Sequence, residues 1–245
     1  MAKQNAIQAV IFDLDGTLVD SAEDLRAALN QLLSELGLRS IEAAEVHGMI
    51  GDGVLKLVER GLSAVGANST QAEVVLPRFL EIYQADPAKL TRPYAGVVET
   101  LSAFKRARIR MAVVTNKPFT AAMQILQALS LADYFLAVVG GDSLPYRKPR
   151  PEPMLEAIRQ LRVGLGQSIV VGDNIHDVEA AHAAGMRCIA VSYGYHHLPP
   201  SEFNADHLVD RFEQIVPLVL ESLRNSEHSS GVQISGATHS SQAVK

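Results

Sequence analysis

The chain has one cysteine, Cys188, and no tryptophan among its 245 residues. A single thiol excludes an intrachain disulfide. Cys188 sits in the apolar run 187–191 and reads as a small core residue of a strand. No apolar stretch reaches membrane-spanning length. The N-terminal segment meets Asp13 too soon for a secretory leader. There is no excess of positive charge: Lys and Arg total 22 against 27 Asp and Glu, for a net charge of −5, and no long basic run occurs. These absences argue against nucleic acid and membrane as partners and point to a cytoplasmic chain, monomeric or homodimeric, acting on a small molecule. The acidic balance does not bar an anionic ligand, because a metal and one or two cationic groups set the local field. With 47% hydrophobic residues, the chain is long enough for one large α/β domain or a domain with an insert.

The most informative segment is Val10-Ile11-Phe12-Asp13-Leu14-Asp15-Gly16-Thr17. An apolar, strand-like run ends in two carboxylates one residue apart, followed by a turn signal. Strand side chains alternate, so residues i and i+2 leave the strand end on the same side. Two acids beside a hydrophobic strand end are costly unless a cation or a proton offsets them, and a hard metal ion is the usual solution. One carboxylate can then attack an electrophile while the other moves protons. Taken alone, the pair also fits a strand ending in a solvated acidic turn.

Two later segments repeat the pattern of apolar run and polar tip. Met111–Val114 leads into Thr115-Asn116-Lys117-Pro118, and Ser168–Val171 leads into Gly172-Asp173-Asn174-Ile175-His176-Asp177. Between them lies Arg147-Lys148-Pro149. Ligands of open α/β sheets bind at the carboxyl ends of the strands, so these tips converge there. Together they hold the parts for phosphoryl transfer: a carboxylate nucleophile, a hydroxyl and an ammonium for phosphoryl oxygens, and further acids for a divalent ion.

The periodicity predicts strands near 111–115, 135–139, 168–172, 187–191 and 207–209. Helices are predicted near 95–107, 119–129, 152–162, 176–184 and 212–223. Regular alternation of this kind predicts a doubly wound, Rossmann-like parallel sheet covered on both faces. After the first strand come three helical stripes: Leu25 to Leu36, opened by a Ser21/Asp24 capping box; Val54 to Val65; and Gln71 to Ala85, with Pro77 as a kink or break. We read residues 20–88 as an inserted α-helical cap, 1–19 and 89–224 as the catalytic core, and the Ser/Gly/His-rich stretch 225–245 as a disordered tail.

Asp-Leu-Asp-Gly-Thr-Leu (13–18), Val-Thr-Asn-Lys (114–117), Lys148 before Pro149, and Gly-Asp-x-x-x-Asp (172–177) resemble, in order and spacing, the motifs of the haloacid dehalogenase-like phosphatases. The resemblance covers about residues 8–223. Within that family, Ile50-Gly51-Asp52-Gly53, Thr115–Pro118 and Gly140–Pro149 are similar to the phosphoglycolate phosphatase subfamily. Asn174 stands where the pattern more often has Ser.

The resemblance implies a Mg²⁺-dependent phosphatase hydrolysing 2-phosphoglycolate through an aspartyl-phosphate. It implies Asp13 as nucleophile and Asp15 as general acid–base. Asp13, Asp173 and the Asp15 carbonyl become metal ligands, with Asp177 behind them or as an occasional ligand. Thr115, the Asn116 N–H and Lys148 become phosphate-binding groups. For the cap, Gly51 and Gly53, with Lys56, are expected to contact the substrate's carboxylate. Lys117 and Arg147 are as readily solvated as functional. His176, His182, His196 and His197 read as surface or half-buried packing, with no zinc site expected. Three alternatives stay open: another small phosphoester phosphatase or a sugar-phosphate mutase on the same scaffold; a phosphonate hydrolase using Lys56 as a Schiff base; and, remotely, a phospho-Asp signalling receiver.

Overall fold

The computed structural model describes residues 6–221, so the expected tail at 225–245 lies outside the described residues. The chain opens with β1 (Ala9–Phe12) and the short β2 (Val19–Asp20). It then leaves the sheet for four helices: α1 (Ala22–Glu35), α2 (Ala43–Val46), α3 (Val54–Ala64) and α4 (Ala72–Ala85). It returns through β3 (Arg92–Pro93), which pairs antiparallel with β2, so the two strands joining the layers are hydrogen-bonded to each other.

The remainder alternates: α5 (Val97–Arg106), β4 (Arg110–Val114), α6 (Phe119–Ala128), β5 (Ala137–Val139), α7 (Glu152–Leu161), β6 (Ser168–Gly172), α8 (Ile175–Ala183), β7 (Arg187–Val191) and β8 (His207–Val209). Strand order is β5-β4-β1-β6-β7-β8, with every pair parallel. Ala9 stands opposite Arg110 on one side and Ser168 on the other. The register therefore brings the ends of β1, β4 and β6, and the polar tips that follow them, to one edge of the sheet.

The sheet is buried on both faces, as parallel sheets are. Val10 and Phe12 point into one layer and Ala9 and Ile11 into the other. The first layer is aromatic: the Phe12 ring lies 6.4 Å from Phe104 and 5.8 Å from Phe212. Phe12 is fully buried, and truncation of such a ring to Ala costs about 3–5 kcal/mol. The second layer is built from smaller residues, including Ala112, Ala157, Ala180 and Cys188. The helical insert has its own core, in which Leu25, Leu29 and Leu32 of α1 meet Leu57, Leu62, Phe79 and Tyr83.

Several local expectations are revised. Ser21 is the N-cap residue of α1, but its side chain makes no capping bond. Its Oγ donates to Asp15 instead, and Asp24 accepts from the Leu90 and Thr91 N–H groups and the Thr91 hydroxyl. A tertiary partner has displaced the local one in both cases. The helix α4 runs through Pro77 unbroken. A proline forfeits one helical bond, and burial of Phe79 and Tyr83 offsets the loss. The C-terminal helix starts later than periodicity placed it, after a 3₁₀ turn at Phe212–Gln214, and runs over 215–221 within the described residues. Neither α2 nor the β2–β3 pair has a periodic signature, because both are too short to show one.

Candidate active site

Asp13 after β1, Asp173 after β6, Asp177 in the first turn of α8 and Lys148 from the loop between β5 and α7 form a buried cluster of three carboxylates and one ammonium. One carboxylate oxygen from each of Asp13, Asp173 and Asp177 lies within 4.8 Å of the others. Lys148 Nζ sits among them, 2.8 Å from Asp13 Oδ1 and 2.6 Å from Asp177 Oδ1, and it donates a third bond to the Val114 carbonyl at 3.0 Å. Asp13 Oδ1 also accepts from the Leu14 N–H at 2.7 Å. Among the described residues Oδ2 has no donor, so this carboxylate offers one held oxygen and one free one. Asp173 accepts from the Thr17 hydroxyl and the Tyr195 N–H, both at 2.7 Å. Asp177 Oδ2 accepts from the Asn174 N–H, which closes the N-terminal turn of α8.

Burial of three acids around one lysine leaves excess negative charge. Burial pushes Asp13 up to about 6, against the pull of Lys148. Asp173 is raised well above the usual carboxylate range, first by burial and then by Asp13 and Asp177. Burial also works against the Lys148 ammonium, but Asp13 and Asp177 outweigh it and raise its pKa. A cluster of hard oxygen donors with uncompensated charge fits a divalent cation of the Mg²⁺ type. Glycine makes the cluster possible: at Gly16, where φ is +83°, a Cβ would stand 2.2 Å from Asp173 Oδ2.

Asp15 leans away from this cluster. Its carboxylate accepts from Ser21 Oγ at 2.5 Å and from Lys117 Nζ at 2.8 and 3.0 Å. Thr115, at the end of β4, is buried, and its Oγ1 accepts from the Lys117 N–H. Asn116 donates to the carbonyls of Lys148 and Gly51, tying core to cap, while its Oδ1 is buried without a partner. A small cavity of about 40 Å³ is lined by Asp13, Asp15, Thr115, Asn116 and Lys117 from below, and by Leu25, Ile50, Gly51, Gly53, Val54 and Leu57 from above. Gly51 and Gly53, with φ of +118° and +88°, thus stand over the carboxylates.

Lys56 does not line this cavity. It borders an outer cleft of about 320 Å³ with Arg60, Arg147 and His176, and it pairs with Glu59 on its own helix. A phosphonatase-type Schiff base at Lys56 has no support from that position.

The histidines hold a further surprise. The sequence alone places His176 and His197 as surface packing, yet both face Asp52 in the cap turn. Their Nε2 atoms lie 2.5 and 3.2 Å from its two oxygens, and Arg60 also donates to it. Hydrogen bonds from His176, then His197, hold the Asp52 carboxyl far below its usual range, and Asp52 in turn raises His176. Asn174 caps α8 and also donates Nδ2 to the Tyr195 carbonyl, so it belongs to this wall between metal loop and cap.

Comparison with known proteins agrees with this geometry. Residues 10–191 match the haloacid dehalogenase-like hydrolase family. The chain is 39% identical over 217 residues to a phosphoglycolate phosphatase of Pseudomonas fluorescens strain Pf-5, covering 86% of this chain and 79% of the relative. It is 40% identical over 214 residues to a phosphoglycolate phosphatase of Rhodospirillum rubrum, covering 85% and 89%. A crystal structure of a predicted phosphoglycolate phosphatase from Haemophilus somnus 129pt superposes with a TM-score of 0.81 at 31% identity, over 86% of this chain and 97% of that one. This α/β protein with a helical insert belongs to the haloacid dehalogenase-like hydrolase family. Among the described residues no helix is long and apolar enough to cross a membrane.

Proposed function

We propose that the chain is a Mg²⁺-dependent phosphatase whose preferred substrate is 2-phosphoglycolate. The observation that carries the reaction class is the buried set of Asp13, Lys148, Asp173 and Asp177, with Asp13 lining a small cavity of about 40 Å³. The relatives named phosphoglycolate phosphatase, at 39–40% identity, favour phosphoglycolate as the ester.

Asp13 attacks phosphorus in line, forming an aspartyl-phosphate as the P–O bond to glycolate breaks. Lys148, locked by three acceptors, fixes Asp13 in place and acts on the nearby phosphoryl group through its charge, with no N–H left to donate. The Thr115 hydroxyl and the Asn116 N–H bind phosphoryl oxygens. Asp15 gives its proton to the departing glycolate oxygen, then takes one from the water that hydrolyses the aspartyl-phosphate. Asp13 and Asp173, with the Asp15 carbonyl, would hold the ion, and Asp177 orients Lys148 beside them. A bound Mg²⁺ supplies the positive charge that lets two anions meet. The apolar wall of Leu25, Ile50, Val54 and Leu57 excludes bulk water while the intermediate lasts.

A panel of phosphate monoesters, assayed with Mg²⁺ and with EDTA, tests the proposal. Phosphoglycolate should show the highest kcat/KM, and EDTA should abolish turnover of every ester. A rank for phosphoglycolate far below sugar phosphates or nucleotides overturns the substrate. Full activity in EDTA overturns the metal.

A further inference from the structure

A substrate with a carboxylate needs a cation to receive it, and the structure restricts the choice. Among the residues lining the cavity Lys117 is the only cation. Lys148 lies next to it but has spent its three N–H donors on Asp13, Asp177 and the Val114 carbonyl. The cap's cations are committed on the outer side, Lys56 to Glu59 and Arg60 to Asp52. Lys117 differs. Both of its side-chain bonds within ordinary distance go to one group, the Asp15 carboxylate, and its other polar neighbour is the neutral Tyr83 hydroxyl, a partner that a carboxylate can displace.

Its surroundings hold that ammonium in place. The Lys117 side chain is 2% exposed, and Nζ lies 4.8 Å from the centroid of the Tyr83 ring, contributed by cap helix α4. A ring face steadies a cation without consuming an N–H donor. The buried Tyr83 hydroxyl has Lys117 as its polar neighbour and, among the described residues, no partner within ordinary hydrogen-bond distance. The Lys117 N–H donates to Thr115 Oγ1, so one turn carries both the hydroxyl assigned to the phosphoryl group and this ammonium.

We infer that Lys117 is the specificity-determining residue that receives the substrate's carboxylate, sharing its ammonium between that group and Asp15, with Tyr83 as its support. This rests on the phosphoglycolate reading and moves carboxylate recognition from the cap lysine to the core. The carboxylate thereby enters a cavity whose upper wall is apolar without being left unpaired.

The test compares phosphoglycolate with ethyl phosphate, which lacks the carboxylate. Binding is measured by calorimetry with Mg²⁺ in the full-length Asp13→Asn protein, where no turnover intervenes, and kcat/KM is measured in the otherwise native enzyme. Lys117→Met should lower the preference for phosphoglycolate by about thirtyfold or more, the scale of one lost charge-assisted hydrogen bond. The loss should fall on Kd and KM more than on kcat. Lys117→Arg, which keeps a cation, should retain the preference to within about tenfold. Lys117→Gln carries the same expectation as Lys117→Met and serves if the apolar variant fails to fold. A preference unchanged within about threefold in Lys117→Met or Lys117→Gln overturns the assignment while leaving the function intact. If the native enzyme itself shows no preference, the function and the assignment fall together.

Discussion

The floor and the roof of the cavity are built on different principles. The floor gathers residues at the carboxyl edge of the sheet, where charges are buried and held by partners distant in sequence, as Lys148 is by Asp13 and Asp177. The roof is an apolar wall, Leu25, Ile50, Val54 and Leu57, fastened at its rim by Asp52 to His176 and His197 of the core, while Arg60 on α3 braces Asp52 from within the cap. Chemistry that must not move is placed on a sheet whose register is fixed by burial on both faces. The part that must admit substrate and release product is a helical layer, joined through β2 and β3 and held by partly exposed polar contacts. A change in the floor should therefore act on the chemical step, and a change in the rim on access and binding.

The largest effect expected is that of Asp13→Asn. The amide is nearly isosteric but cannot attack phosphorus, so kcat should fall by about 10⁴ or more. More than about one hundredth of native activity would argue against a covalent intermediate. The same variant sharpens the point about charge. Burial holds Asp13 up at about 6, so at pH 7.5 in EDTA its ionised form lowers stability, and the variant should melt at a higher temperature than the native protein. Added Mg²⁺ should raise the native melting temperature by several degrees and that of the variant by less. Equal Mg²⁺ shifts would remove Asp13 from the metal site.

Asp15→Asn comes next. It removes the proposed proton carrier and should slow both formation and hydrolysis of the aspartyl-phosphate by about a hundredfold or more. Rapid-quench measurement of the two half-reactions checks this, and unchanged rates would exclude the role.

At the rim, Asp52→Asn weakens the bonds to His176, His197 and Arg60 without altering the floor. KM for phosphoglycolate should rise about tenfold, with kcat changed by less than about threefold. A loss confined to kcat would mean that the rim positions reacting groups and that the contrast between floor and roof is misdrawn.

Lys56→Ala should be the mildest. Lys56 is half-exposed and paired with Glu59 one helical turn away, and exposed pairs contribute about 0–1 kcal/mol. Activity should stay within about twofold. A tenfold loss for phosphoglycolate alone would return carboxylate recognition to the cap.

How far the sequence could be read follows the same division. The core strands were legible because each is a short Val/Ile-rich run ending in a polar tip, and alternation of strand with helix implies a parallel sheet. Asp13, Asp15, Thr115, Lys148, Asp173 and Asp177 stood out because carboxylates, a hydroxyl and an ammonium at strand ends are chemically conspicuous. The cap was legible only as apolar stripes. A stripe shows that a face is buried and does not show against what. Hence Ser21 and Asp24 were read as a local cap when their partners are Asp15 and Thr91, and His176 and His197 were read as packing when both face Asp52.

What the sequence determined by itself is the chemistry available: which groups can attack, hold phosphate or bind a hard cation, and which strand ends carry them. That information is local, because a strand's alternation fixes where neighbouring side chains point. Only the tertiary structure decided which groups meet. Lys117 and Asp15 are 102 positions apart, and His176 and Asp52 are 124 apart. No periodicity reaches across such distances, since each pairing depends on strand register and on how the cap helices pack above the sheet.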